Sequence, residues 1–188
     1  MLAALASAQA ARDPSTAAHC GRVTSFAAGL AAWMGWDEVR LRQLVFGARL
    51  HDIGKVMISE TLLRKRGPLS PHELAEIRTH PSAGANLIRP IQEADDALPF
   101  VLYHHERWDG GGYPTRRLGR DVPDGARLLA VVDAFDAMTS TRPYRRALPT
   151  FHALAEIERC AGTQFDPTIA SAFLQAWSAG AFAEAAAM

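Results

Sequence analysis

A chain of 188 residues, 48% hydrophobic and 21% charged, is the size of one ordinary domain and can bury a real core. Its 20 basic and 20 acidic side chains cancel, which removes any general electrostatic case for nucleic acid or an anionic membrane and leaves small anions to local cations or metals. Cys20 and Cys160 are far apart, so they offer neither a thiolate zinc site nor a disulfide framework, and they point to a reduced, cytoplasmic compartment.

Residues 1–12 are rich in alanine but lack a basic n-region and a long Leu/Val/Phe core. They read as a leading helix or the tail of a connector from an upstream domain rather than a secretory leader. No apolar run is long enough to span a bilayer. Asp13-Pro14 has the form of an N-cap followed by proline at the first helical position. Val23, Phe26, Ala27 and Leu30 then share one face of a helix predicted to run to about Met34, with His19 one turn before Val23. Gly35 closes it. Asp37 opens a second helix with a broad apolar surface (Val39, Leu41, Leu44, Val45, Ala48, Leu50) that delivers His51-Asp52 at its C-terminal end, with Gly54 and Lys55 just beyond.

Leu62-Leu63 reads as a short turn before the breaker Gly67-Pro68. Ser70-Pro71-His72-Glu73 has capping-box register and starts a helix predicted to pass Leu74 and Ile77, bend at His80-Pro81 and resume through Leu87 and Ile88. The next helix is predicted from about Ala94 to His105, followed by a glycine-rich loop to about Asp124. Asp124 opens a helix with Leu128, Val132 and Phe135 on its apolar face, and Asp133 shares an inward face with Leu129 and Ala137. Two helices over about Thr150–Cys160 and Pro167–Ala183 complete the chain. No segment alternates with period two, so the expected fold is all-α: a single compact domain over residues 13–184, of about seven to eight helices.

Chemistry concentrates in His19, His51-Asp52, His80, His104-His105 and Asp133. Neighbours on a helix point about 100° apart, yet His104 and His105 can converge on one ion if the backbone turns away at a helix end. Imidazole nitrogens and carboxylate oxygens suit first-row metals such as iron, manganese, cobalt, nickel or zinc; magnesium and calcium prefer all-oxygen shells. So many donors exceed the needs of one ion, and two ions sharing a carboxylate use them economically, with Asp52 the candidate bridge. Each residue also has a bland alternative. A lone histidine on an apolar face is more often a satisfied core or surface residue, Asp133 could cap or pair with an arginine, and Gly110 to Gly112 could form only a tight turn. Arg142 and Arg145 could be solvated loop charges. Those alternatives leave unexplained why histidines and aspartates recur at helix ends and inward faces, where unpaired polar groups are costly. His72 and His152, in first turns of helices, read as solvated.

His51-Asp52-Ile53-Gly54-Lys55 resembles the HD signature of the HD superfamily of metal-dependent phosphohydrolases, and His104 to Pro114 is similar to the H-H-E-x-W-D-G-x-G-Y-P motif of its HD-GYP subfamily. The resemblance extends to His19-x-x-Arg22-Val23, Gly67 to Ser70, His80-Pro81, the run from Asp133 to Arg145 and Gly162 to Pro167, in order along nearly the whole chain. It implies an HD-type helical domain that hydrolyses the bacterial second messenger cyclic di-GMP to linear pGpG, with GMP as a further product in some members. It also implies that one ion takes His19, His51, Asp52 and Asp133, and a second takes Asp52, His80, His104 and His105, the metals being iron or manganese. Lys55 would contact the substrate phosphate, Tyr113 would line the pocket, and Arg142 and Arg145 would hold phosphates or guanine. Asp136 would support a ligand rather than be one. Some members hold a third ion through a glutamate one turn before the first histidine; Ser15 stands there, so a two-metal centre working through a bridging hydroxide is expected. The implied partners are cyclic di-GMP, diguanylate cyclase (GGDEF) domains or an upstream regulatory domain. Two rival readings are a catalytically silent sensor or docking module, which ought to have lost ligands, and an HD hydrolase of another nucleotide, which does not need His104-His105 or the Gly-Tyr-Pro loop.

Overall fold

The computed structural model of the chain describes residues 14–65, 67–141 and 146–183, and only the backbone of Pro14 and Ser15. The expected leader over 1–12, the Asp13 cap, Arg142 and Arg145 lie outside the described residues, as does the Ser15 side chain. Among the described residues the elements are helical, with no β-strand, in agreement with the all-α expectation. In chain order they are α1 (Pro14–Trp33), α2 (Glu38–Leu50), α3 (Glu60–Leu63), α4 (Pro71–Ile77), α5 (His80–Ile88), α6 (Leu98–Tyr103), α7 (Asp124–Thr139), α8 (Thr150–Arg159) and α9 (Pro167–Ser178). Short 3-10 turns at Ile53–Met57, Gln92–Ala97 and Gly119–Asp121 join them. Among the described residues no helix is long and apolar enough to cross a membrane.

Local chemistry sets most boundaries. Asp37 caps α2 by accepting from Val39 N and Arg40 N, and the capping box at Ser70 and Glu73 is complete. Four boundaries differ from expectation. Leu62-Leu63 belongs to the short helix α3, capped by Ser59. The single bent helix through His80-Pro81 is two helices: α4 stops at Ile77, and α5 starts with Pro81 in its first turn, where its missing N–H has no helical partner to lose. The predicted Ala94–His105 helix is a 3-10 turn followed by α6, again with proline in the first turn. Finally, α9 ends at Ser178 rather than Ala183. Ala181 N donates to Ala176 O and Gly180 adopts φ +76, a left-handed stop. That turn folds Phe182 back onto Phe26, Phe173 and Trp177.

The larger core joins α1, α2, α7, α8 and α9, with the predicted Val23, Phe26, Ala27 and Leu30 all buried and the Phe135 ring 5.4 Å from that of Phe26. A smaller core gathers Leu50, Ile53, Ala85, Ile88, Ile91 and Val101. Helices α2 and α6 serve both, through Leu44 and Ala48 against Leu50, and Phe100 against Val101. Their ends are therefore pinned from two sides, and His51 and His104 sit at those ends. The turn after Asp52 meets α5 backbone to backbone: a Cβ on Gly54 would lie 1.9 Å from His80 O and 2.5 Å from Gly84 N. Only glycine permits that approach.

Candidate metal centre

Helix ends supply most of the cluster. His51 follows α2, His80 opens α5 and His104-His105 follow α6, whereas His19 and Asp133 come from within α1 and α7. Three imidazoles satisfy backbone carbonyls of the last turn of the preceding helix. His51 Nδ1 lies 2.7 Å from Ala48 O, His80 Nδ1 2.8 Å from Ile77 O, and His104 Nδ1 3.0 Å from Val101 O. A carbonyl only accepts, so Nδ1 carries the proton and each neutral ring presents an Nε2 lone pair. Those lone pairs converge. His80 Nε2 faces His104 Nε2 at 3.1 Å, and the buried His51 Nε2 has no hydrogen-bond partner. Facing acceptors and an orphaned one are unfavourable in a buried site, and a cation would satisfy them all.

Asp52 lies among these nitrogens. Its Oδ1 is 3.3 Å from His80 Nε2 and 3.9 Å from His104 Nε2. Its Oδ2 is 3.4 Å from His51 Nε2, 3.9 Å from His19 Nε2 and 2.5 Å from Lys55 Nζ. Each carboxylate oxygen thus faces a different pair of rings. Burial would raise the Asp52 pKa, but the Lys55 ammonium beside it holds it well below the ordinary carboxylate value.

His19 is different, because both its nitrogens meet carboxylates: Nε2 lies 3.0 Å from Asp133 Oδ1 and Nδ1 2.6 Å from Asp136 Oδ2. Burial lowers its pKa, but hydrogen bonds to Asp133 and Asp136 outweigh that and raise it to about 9. Asp136 in turn accepts from Arg22 Nε at 2.6 Å, so it meets the cluster only by orienting His19. His104 and His105 go the other way. Burial drives both down, His105 to about 3, which keeps their rings neutral.

The structure brings together His19, His51, Asp52, His80, His104, His105 and Asp133. Donor atoms of His19, His51 and Asp133 lie within 4.8 Å of one another, as do those of His80, His104 and His105. A third group, Cys20 with His51 and Asp52, adds a buried thiol that the sequence reading passed over, although it adjoins His19 in the chain. Exposed His72 and His152 belong to none of these groups.

Tyr113 stacks on His105, ring centroids 4.9 Å apart and 31° from parallel. Its loop is held by Glu106, a residue to which the sequence reading assigned no role. The buried Glu106 carboxylate accepts from Thr115 N at 2.6 Å, Thr115 Oγ1 at 2.7 Å and Arg117 N at 3.1 Å. A carboxylate placed directly after two histidines and before three glycines was the available signal. Gly112 does more than relax a turn, since a Cβ there would lie 2.4 Å from Arg107 N. Burial pushes the Tyr113 hydroxyl up, so it stays protonated. The nitrogen and oxygen donors, with their orphaned lone pair, fit first-row transition ions.

The profile described as "HD domain" matches residues 3–169. A protein of Thermotoga maritima named cyclic di-GMP phosphodiesterase is 38% identical over 168 residues, which is 87% of this chain and 45% of that one. "3'3'-cGAMP-specific phosphodiesterase 2" of Vibrio cholerae is 33% identical over 175 residues, 92% of this chain and 34% of that one. The chain spans less than half the length of either relative. A solved HD-G"Y"P protein from Bdellovibrio bacteriovorus shares the fold, with a TM-score of 0.72 at 21% identity over 88% of this chain and 53% of that one.

Proposed function

Because this chain belongs to the HD domain family, we propose that it is a metal-dependent phosphodiesterase that opens cyclic di-GMP to linear pGpG. The observation that carries the reading is the convergence of imidazole Nε2 lone pairs on the two oxygens of Asp52. His19, His51, Asp52 and Asp133 would hold one divalent ion, and Asp52, His80, His104 and His105 the other, iron or manganese suiting these donors. Such ions supply Lewis acidity and a nucleophile derived from water at neutral pH.

The chain's own groups do the rest. Lys55, half-buried beside Asp52, sets a cation next to the cluster to meet a phosphate oxygen. Asp52 fixes Lys55, and Asp136 fixes His19. Tyr113 walls the cluster at His105, held there by the loop that Glu106 ties down. Arg142 and Arg145 hold phosphates or guanine edges. Hydrolysis adds one water across one phosphodiester: a new P–O bond forms, the bond to the 3′ oxygen breaks, and that oxygen leaves with a proton. With Ser15 where a further carboxylate would sit, the reading is of a two-metal centre that yields pGpG, with GMP as the further product where a second phosphodiester is cut. Free thiols at Cys20 and Cys160 accord with work in a reduced cytoplasm.

Anaerobically prepared protein loaded with manganese or ferrous iron tests this by chromatography of its products. Cyclic di-GMP is expected to yield pGpG, with 3′3′-cGAMP run beside it because one relative's name specifies that substrate. Ligand binding without product, across manganese, iron, cobalt, nickel and zinc, would overturn the reading in favour of a silent binding module.

Metal uptake should also depend on pH. The proton on His19, held up to about 9 against 6.5 for a free histidine, competes with a cation at the same nitrogen. His104 and His105 are already neutral at pH 7 and impose no such competition. Manganese affinity measured calorimetrically is therefore expected to rise steadily between about pH 6 and 9. A flat profile would mean that His19 does not surrender its proton to the metal.

A further inference from the structure

The break between α4 and α5 leaves Arg78 two residues ahead of His80, at the C-cap of α4. Its guanidinium carbon lies 5.3 Å from the centroid of the Tyr113 ring, and that ring stacks on His105 at 4.9 Å. The arrangement runs from the histidine cluster through an aromatic wall to an exposed cation. Several cations around the loop and cluster are already engaged: Lys55 with Asp52, Arg22 with Asp136, Arg107 with Asp109 and Arg127 with Asp166. Among the described residues the Arg78 guanidinium has no carboxylate within ion-pair range and no hydrogen-bond acceptor, and its one ring contact is with Tyr113. A positive charge at a helix C-terminus has a bland use, because it favours the terminal carbonyls. That use needs only charge. It does not explain a planar group lying over Tyr113.

We propose that Arg78 is a specificity-determining residue which, with Tyr113, binds the second, non-reacting phosphate of the cyclic dinucleotide. This rests on the phosphodiesterase reading above. The substrate is a dianion, and the cluster with Lys55 serves one phosphate only. A macrocycle leaving the cluster on the His105 side passes the Tyr113 ring and presents its other phosphate to whatever lies beyond. A guanidinium there offers two parallel N–H donors to phosphate oxygens while its face rests on the aromatic ring. Arg142 and Arg145 are then left for the guanine edges.

The experiment compares kcat/KM for cyclic di-GMP with kcat/KM for bis(p-nitrophenyl) phosphate, which carries the reacting diester and no second phosphate. Arg78→Ala is expected to lower the ratio of the two by about tenfold or more, chiefly through KM for the dinucleotide. Arg78→Lys keeps the helix-end charge but loses the planar fork, so its Tm should match the parent while the ratio stays depressed. An unchanged ratio, or equal losses on both substrates with a fallen Tm, would overturn the assignment. The parent enzyme separates the two claims. If it cleaves the small diester but not the dinucleotide, the substrate reading fails and Arg78 with it. If it cleaves both and the variants keep the ratio, only the Arg78 assignment fails.

Discussion

Asp52→Asn is expected to cut cyclic di-GMP turnover by at least about a thousandfold and to leave the protein with about one bound ion or fewer. The reasoning is atomic. Oδ1 faces His80 and His104, Oδ2 faces His51 and His19, and a single residue therefore touches both donor sets. An amide of the same shape retains one oxygen, replaces the other with N–H donors that cannot bind a cation, and removes the charge. Lys55 also loses its carboxylate partner, so its ammonium is no longer held in place. Shape is kept, so circular dichroism should change little, while metal analysis after dialysis and product chromatography should both collapse. A variant that retained its full metal content would show that Asp52 does not link the two sets.

Gly54→Ala is expected to destabilise the fold by more than about 3 kcal/mol, enough to deplete folded protein. The new methyl would meet His80 O at 1.9 Å, Gly84 N at 2.5 Å and Gly84 Cα at 2.9 Å. These are main-chain atoms, so no rotamer change relieves the clash, and α5 has to move off the Ile53–Met57 turn. Because Asp52 precedes that turn and His80 opens α5, metal content should fall with stability. Gly21 is the matched control. It lies within α1 with nothing within 4 Å of its hypothetical Cβ. There alanine should stabilise by about 0.5–1 kcal/mol, as expected for a solvent-facing helical glycine. Denaturant titration of the three proteins decides it. Equal midpoints for Gly54→Ala and the parent would refute the backbone contact.

Legibility in the sequence followed the range of the forces involved. The Ser70 capping box and the Val23–Leu30 stripe depend on neighbours within one or two turns, and both were readable. That these side chains cluster was readable because metal chemistry restricts residue type, and their division between two ions remains what the resemblance to the HD-GYP proteins implies. The unbroken helix through His80-Pro81 was misjudged because proline disfavours a helix interior yet suits a first turn, and only packing on the Gly54 turn decides which applies. Glu106 reaching Thr115 and Arg117, Cys20 beside His51, and Arg78 over Tyr113 all depend on tertiary distance. Nothing in spacing encodes them.

Three imidazoles take their aim from carbonyls only three residues back, at Ala48, Ile77 and Val101. Ring direction is consequently settled once α2, α4 and α6 terminate, without help from any ion. This imposes an order of events: the receptor is built first and filled afterwards. Stripping by a chelator and refilling should be a reversible cycle of intact protein, and the identity of the occupant should track whichever cation the surroundings make abundant at the time of loading.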